Sequence, residues 1–366
     1  MEDNTIILQR LCQQISLSET AKATVVREYN SLGKLLSDSE LLDSEVTVKP
    51  QGSYNLGTAI QPLRGSEDDF DIDLVAILNF SSNAEHTKKS VGKVLKSSQL
   101  YSAKLSEEKK RAWTIEYDNS HVDIVPAIES QVADIAITNK VGDSRYEYRQ
   151  SSPFAFKDWF IQRGQGIYQA LDKNGYDIRS EVETPADYQE YTILQQVVKL
   201  LKYHRNKMFD GQDPELKPIS MIITILAGKA YFGQDDLDKA LLEVTRGLRQ
   251  QIEVGLAGTP HILNPINPNE DFADKWIEHP ERKRAFYDWL ESVERDFGTS
   301  SNRERIAWSQ TLARIYGEDR VRSAFETLGE LRSTSQKQSK VPIEPIGQIG
   351  GKVYDKKTRA HTFWGD

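Results

Sequence analysis

Residues 69–78 read DFDIDLVAIL, and the alternation in them decides what kind of protein this is. Side chains along a strand alternate faces with a period of two. Asp71 and Asp73 therefore share one face, while Phe70, Ile72 and Leu74 share the other, toward a core. The two carboxylates stand ~7 Å apart along the strand and repel each other. A cation between them offsets that repulsion. Mg2+ favours oxygen ligands and takes one or two carboxylates together with substrate phosphates. By itself the pair is also what a solvated edge strand would show, and Glu67, Asp68 and Asp69 extend the acidic patch upstream.

What surrounds the pair decides between these readings. Glu45 to Lys49 alternates Val46 and Val48 with polar residues and reads as a strand that Pro50 and Gly52 end. Gly52-Ser53 follows it directly. Glycine lets a backbone approach a phosphate, Ser53 offers a hydroxyl and an N–H, and Tyr54-Asn55-Leu56 begin a helical turn whose N-terminus favours anions. Downstream, Ala112–Tyr117 (AWTIEY) and His121–Ile128 (HVDIVPAI) read as strands joined across Asp118-Asn119-Ser120, a hairpin. The second places Asp123 between Val122 and Ile124, again a carboxylate in an apolar strand. Lying beside the first strand, it completes a cluster of three acids. Such a cluster can hold two metals ~4 Å apart, the clamp for in-line phosphoryl or nucleotidyl displacement.

The rest of the chain supplies helices. Ser18 caps one through Thr20–Leu36, and after Ser151 the texture turns helical. Long segments are expected over Ala186–Phe209, with an apolar stripe of Ile193, Val197, Leu200, Leu201 and Met208, and over Pro218–Phe232, Leu237–Leu256, Glu270–Phe297 and Ser301–Leu331. Asn264–Asn269 (NPINPN) reads as a turn, with Asn269 capping the next helix; the alternative is a loop lining a pocket. Residues 79–111 hold eight Lys/Arg against three Glu, on a chain whose net charge is −8. That basic stretch is a solvated face, or a means of attracting anionic ligands. From Arg332 the pattern dissolves into a polar tail carrying seven Lys/Arg, three acids, and the contact-prone residues Tyr354, His361, Phe363 and Trp364.

Composition removes several classes. The longest nearly apolar stretch, Ile219–Ala227, falls far short of the ~20 residues of a membrane helix. The start, MEDNTIILQR, has no basic n-region, so no signal peptide is expected. A single cysteine, Cys12, leaves no disulfide framework or cysteine-rich zinc site and fits a cytoplasmic protein. The acidic balance argues against a general duplex binder.

The stretch QGSYNLGTAIQPLRGSEDDFDIDLVAIL resembles the core of the polymerase-β-like nucleotidyltransferases. More narrowly, with VVKLLKYHRNK, KPISMIITILAGKAY and ILNPINPNEDFADKW, it resembles the CD-NTases. These are bacterial relatives of cyclic GMP–AMP synthase and oligoadenylate synthase that produce signals in anti-phage CBASS systems. The resemblance covers about residues 20–330 and implies an α+β fold, with a mixed-sheet nucleotidyltransferase core and a helical lobe forming a bilobal cage. The expected divisions are 1–130 for the core with its N-terminal helices, 131–331 for the helical lobe and 332–366 for a flexible tail.

By that resemblance Gly52 and Ser53 hold the incoming triphosphate. Asp71, Asp73 and Asp123 bind two Mg2+ ions, or Mn2+ in their place, with Asp123 nearest the attacking hydroxyl. Lys202 and Ser220 grip the triphosphate from the helical lobe. The residues themselves also favour Lys202, which follows Leu200-Leu201 on a largely apolar helix with Arg205 three positions on; a solvated lysine is the alternative. Met221 stands where the eukaryotic relative has a base-stacking tyrosine, so stacking must come from elsewhere, and without cysteine pairs no DNA-sensing zinc insertion is expected. The implied product is a cyclic di- or trinucleotide with at least one adenine, made from ATP and a second nucleoside triphosphate without duplex DNA or membrane. A CBASS accessory protein would bind the C-terminal tail. Two alternatives are carried: template-independent addition of nucleotides to an RNA end, and a catalytically inactive nucleotide sensor.

Overall fold

The computed structural model describes residues 2–63, 70–117, 120–165, 191–299 and 305–337. Six strands form one sheet: β1 (Val46–Gln51), β2 (Phe70–Leu78), β3 (Trp113–Glu116), β4 (Ser120–Glu129), β5 (Ile135–Val141) and β6 (Arg145–Ser151). The order is β1-β2-β4-β5-β6, with β3 also on β4. Only β2 and β4 run parallel. β3 takes the first half of one edge of β4 and β5 the end of the same edge; Pro126 falls between the two stretches, where no donor is needed on that side.

The helices are α1 (Glu2–Ile15), α2 (Glu19–Ser37), α3 (Gly52–Asn55), α4 (Ala84–Ser97), α5 (Pro153–Gln165), α6 (Ile193–Met208), α7 (Ser220–Ala230), α8 (Leu237–Gly247), α9 (Pro280–Phe297), α10 (Arg305–Tyr316) and α11 (Glu318–Lys337). The Ser18 side chain accepts the Ala21 N–H at the start of α2, as the cap signal suggests. One core packs α2 and α4 on the sheet face that presents Ile72, Leu74, Ala76, Leu78, Val122 and Ile124. A second, larger core joins α1 and α5–α11. Asp71, Asp73 and Asp123 have the opposite parity from the first set and lie on the other sheet face.

Several boundaries move. β1 runs through Pro50 to Gln51, because it is an edge strand and an outward proline forfeits no ladder bond. The sheet continues past residue 130 to Ser151, through a hairpin over Gly142 at φ +63°. α1 leaves the expected core division altogether: Ile7, Leu8, Leu11, Cys12 and Ile15 are buried in the helical core. Ordered helix extends to Lys337, six residues into the expected tail, and residues 338–366 lie outside the described ones. Ile252 and Glu253 end the expected 237–256 helix, which breaks at Gly247 into a single-turn 3-10 segment. Asn269 caps no helix: the 264–276 loop staples itself through Asn264, Asn267 and Asp271, and α9 begins only at Pro280.

Candidate active site

Parallel pairing puts Asp73 of β2 directly opposite Asp123 of β4, while Asp71 pairs with His121. Neighbours in register share a face, ~4.8 Å apart. The three acids are therefore clustered across strands as well as along one. Withdrawal from water, then the charges of Asp71 and Asp123, push the Asp73 carboxyl up to about 7; Lys202 and Lys109 oppose the shift.

Gly52 closes against this cluster. It has φ +72°, and a Cβ placed there would come within 1.9 Å of Asp73 Oδ2. No other residue fits, both for backbone conformation and for space. Ser53 lies in the single turn α3 that Gly52 opens, and its carbonyl accepts the Thr58 N–H at 2.9 Å. Asn55, expected only as part of a helical turn, ties this turn to both lobes. Its Nδ2 donates to the Pro50 carbonyl at 2.8 Å, and its Oδ1 accepts from Lys157 of α5 at 2.8 Å.

From the helical lobe, Lys202 on α6 is buried and donates to the Thr58 carbonyl at 2.8 Å. Burial, with Arg205 and Lys199 nearby, lowers its ammonium to about 7, against the pull of Asp73 and Asp71. It is not a solvated lysine. Ser220 opens α7, but Ile219 is the N-cap, so the hydroxyl does not cap that helix. Instead Ser220 Oγ accepts from Arg205 Nη1 at 3.1 Å, the same nitrogen that donates to the Pro218 carbonyl at 2.7 Å. Lys217 was not singled out from the sequence. Burial and Arg205 lower its pKa, and Asp71 acts in the opposite direction. Its place in KPIS, one residue before the proline that Arg205 pins, was the available signal. Met221 packs against the helical core.

Lys109, within the basic stretch, lies 3.3 Å from Asp123 Oδ1, and Thr114 donates to the same oxygen. Among the described residues no three His, Cys, Asp or Glu side chains close on one ion position. Lys109 engages one oxygen of Asp123 instead. The donor set itself suits a hard divalent ion: oxygen ligands only, with the charges of Asp71 and Asp123 adding to burial in raising the proton affinity of Asp73. Asp71, Asp73 and Asp123 would hold it.

Residues 2–163 match the model of the Second Messenger Oligonucleotide or Dinucleotide Synthetase domain. This stretch, which contains the whole six-stranded sheet, is thus similar to that family of nucleotide second-messenger synthetases. It is 26% identical over 371 residues to a c-di-GMP synthase of Roseivirga ehrenbergii, an alignment covering 98% of this chain and 96% of that protein. Its fold matches that of the Bradyrhizobium diazoefficiens CD-NTase CdnG, solved with GTP, at TM-score 0.64 and 19% identity over 89% of this chain and 99% of the other. It also matches the E. coli CdnC:HORMA-deltaN complex at TM-score 0.53 and 16% identity, over 85% and 96% of the respective chains. The mixed sheet with a helical lobe is thus the fold of this group. No described helix is long and apolar enough to cross a membrane.

Proposed function

We propose that this protein is a Mg2+-dependent synthase of a cyclic dinucleotide second messenger. The observation that carries the reading is the in-register pair Asp73–Asp123, with Asp71 on the same face, opposite the buried Lys202 and beside Gly52. A divalent ion bound by the three acids would polarise the acceptor hydroxyl and offset charge on the phosphates. Gly52 gives the triphosphate close backbone approach, and Ser53 offers its hydroxyl and N–H. Lys202, Ser220 and Lys217 meet the triphosphate from the helical lobe. Asp123 assists removal of the proton from the attacking ribose hydroxyl. That oxygen bonds to the α-phosphorus, the bond to the bridging oxygen breaks, and pyrophosphate leaves. Repeating the transfer within the linear product closes the ring. Positioning and fixed charge supply most of the acceleration.

The family resemblance implied an adenine. The Roseivirga relative is named for c-di-GMP, and CdnG was solved with GTP, so guanine is the base these relatives support. We take GTP as the first substrate, alone or with ATP. A role in anti-phage defence, a cytoplasmic location and docking of an accessory protein at the C-terminus belong to the same proposal; a HORMA protein is bound in the related CdnC complex. Incubation with each triphosphate and each pair in Mg2+, followed by mass analysis of products, tests it. A cyclic dinucleotide is expected. Extended RNA ends, or nucleotide binding without pyrophosphate release, would replace it with one of the two alternatives.

A further inference from the structure

We infer that Lys109 is a working cation of this site: it neutralises Asp123 in the absence of metal and passes to a phosphate oxygen of the nucleotide when a divalent ion takes that carboxylate. The inference rests on the reading of Asp123 as a metal-binding acid.

The backbone around Lys109 is held from two sides. On one side is Lys88 of α4, itself fully buried. Its Nζ donates to the Lys109 carbonyl and to the Ala112 carbonyl, each at 3.0 Å. A buried ammonium is costly unless its hydrogen bonds are satisfied, and both of these acceptors belong to the Lys109 loop. Trp113 Nε1 donates back to the Lys88 carbonyl at 2.9 Å and seats the indole on Gly92, where a Cβ would come within 2.4 Å of the ring. On the other side is the β5–β6 hairpin. The Lys140 N–H donates to the Lys110 carbonyl at 2.8 Å, and Glu108 accepts from Lys140 Nζ and the Tyr146 hydroxyl, each at 3.0 Å.

Glu108 thus faces the hairpin while Lys109, next in sequence, faces the acids. With its main chain pinned, Lys109 can respond only through its flexible four-carbon stem. Its side chain keeps 52% of its exposure, so it is free to swing. Thr114 and Lys109 both engage Oδ1 of Asp123, and neither uses Oδ2. An arriving divalent ion competes with the ammonium for the carboxylate, and the released ammonium finds the triphosphate oxygens as its nearest new anions. Metal alone therefore binds against the ion pair, whereas metal with nucleotide does not. The arrangement couples the two ligands, and such coupling is reciprocal.

The test is Mn2+ titration of the full chain by electron paramagnetic resonance, with and without a nonhydrolysable GTP or ATP analogue, for wild type, Lys109→Gln and Lys109→Arg. An exposed ion pair is weak, so Lys109→Gln should bind Mn2+ alone about two- to fivefold more tightly than wild type. The gain in Mn2+ affinity on adding the analogue should shrink, and Lys109→Arg should preserve it. Melting temperatures confirm that the variants are folded. An unchanged Mn2+ midpoint in Lys109→Gln, or an unchanged analogue effect, overturns the inference. A wild-type chain whose Mn2+ binding is no better than that of Asp123→Asn overturns the metal-site reading, and the inference with it.

Discussion

Asp73 sits between two other carboxylates, which makes pH a probe of the site. Its ordinary value is 3.8 and its folded value is about 7. Between those values the native state keeps a proton that the unfolded chain releases, so metal-free stability falls as pH rises from about 4 to about 7. Melting curves in a chelator across that range should show the fall, and Asp73→Asn should flatten it. The double variant Asp71→Asn, Asp73→Asn should lose turnover by about 1000-fold or more. It should melt no lower than wild type without Mg2+, since it removes clustered like charges. Undiminished synthesis, or a marked loss of stability, would show a structural acid pair instead. At the opposite wall, Lys202→Ala removes a charge-assisted contact worth about 1–3 kcal/mol, a KM increase of roughly 5- to 150-fold for the triphosphate. Steady-state kinetics that leave KM unchanged would place the lysine outside the site.

At the scale of elements, α6 joins the two lobes through its polar residues. Thr192 and Gln195 form a reciprocal capping box, and Gln195 Nε2 also donates to the Leu56 carbonyl at 2.9 Å. One turn on, Lys199 donates to Ser16 Oγ at 2.9 Å, and Lys202 reaches Thr58. Positions 195, 199 and 202 lie on one helical face, turned toward the α1–α2 junction and the turn after Gly52. The apolar residues Val197, Leu200 and Leu201 are buried in the helical core as the periodicity suggests. Gln195→Ala should cost about 1–3 kcal/mol, because it leaves a buried carbonyl unpaired. Chemical denaturation measures it. Lys199, lowered by burial to about 7 from 10.5, is uncharged in the native state where the unfolded chain is still protonated. Stability from this residue therefore rises as pH climbs from about 7 to about 10.5, and Lys199→Met should remove that rise.

Over the whole molecule, the two ends of the described chain meet. α1 packs along α11, Gln14 Nε2 donates to Ser323 Oγ at 3.0 Å, and Arg332 pairs with Asp3. Leu11 of α1, fully buried in the helical core, should cost about 2–5 kcal/mol when cut to alanine. A loss below 1 kcal/mol in urea unfolding would show that α1 is a loose appendage. Residues from Gly350 onward lie outside the described ones. Their deletion should leave turnover of the purified enzyme within a few-fold while abolishing capture of an accessory protein. Loss of synthesis would show that the segment belongs to the catalytic unit.

The alternation of DFDIDLVAIL and HVDIVPAI determined which residues point away from the core, because side-chain parity is a local property of an extended chain. The same holds for the Ser18 cap and for the hairpin ending in β4, whereas the close approach of Asp73 that demands glycine at 52 is a tertiary contact. Which acids become neighbours was decided by the tertiary structure. The parallel pairing that sets Asp73 beside Asp123 depends on the crossover through α4, and no local signal carries it. The sequence divisions at 130 and 331 failed for a related reason. α1, β5 and β6 were assigned by position along the chain, whereas their burial depends on what packs against them. Of Lys202, Lys217 and Lys109 the sequence favours only the first, and even there it leaves a solvated lysine open. Only the fold buries the first, sets the second beside Arg205 and pins the third to a carboxylate, since charge interactions depend on distance and solvent exposure rather than on residue type.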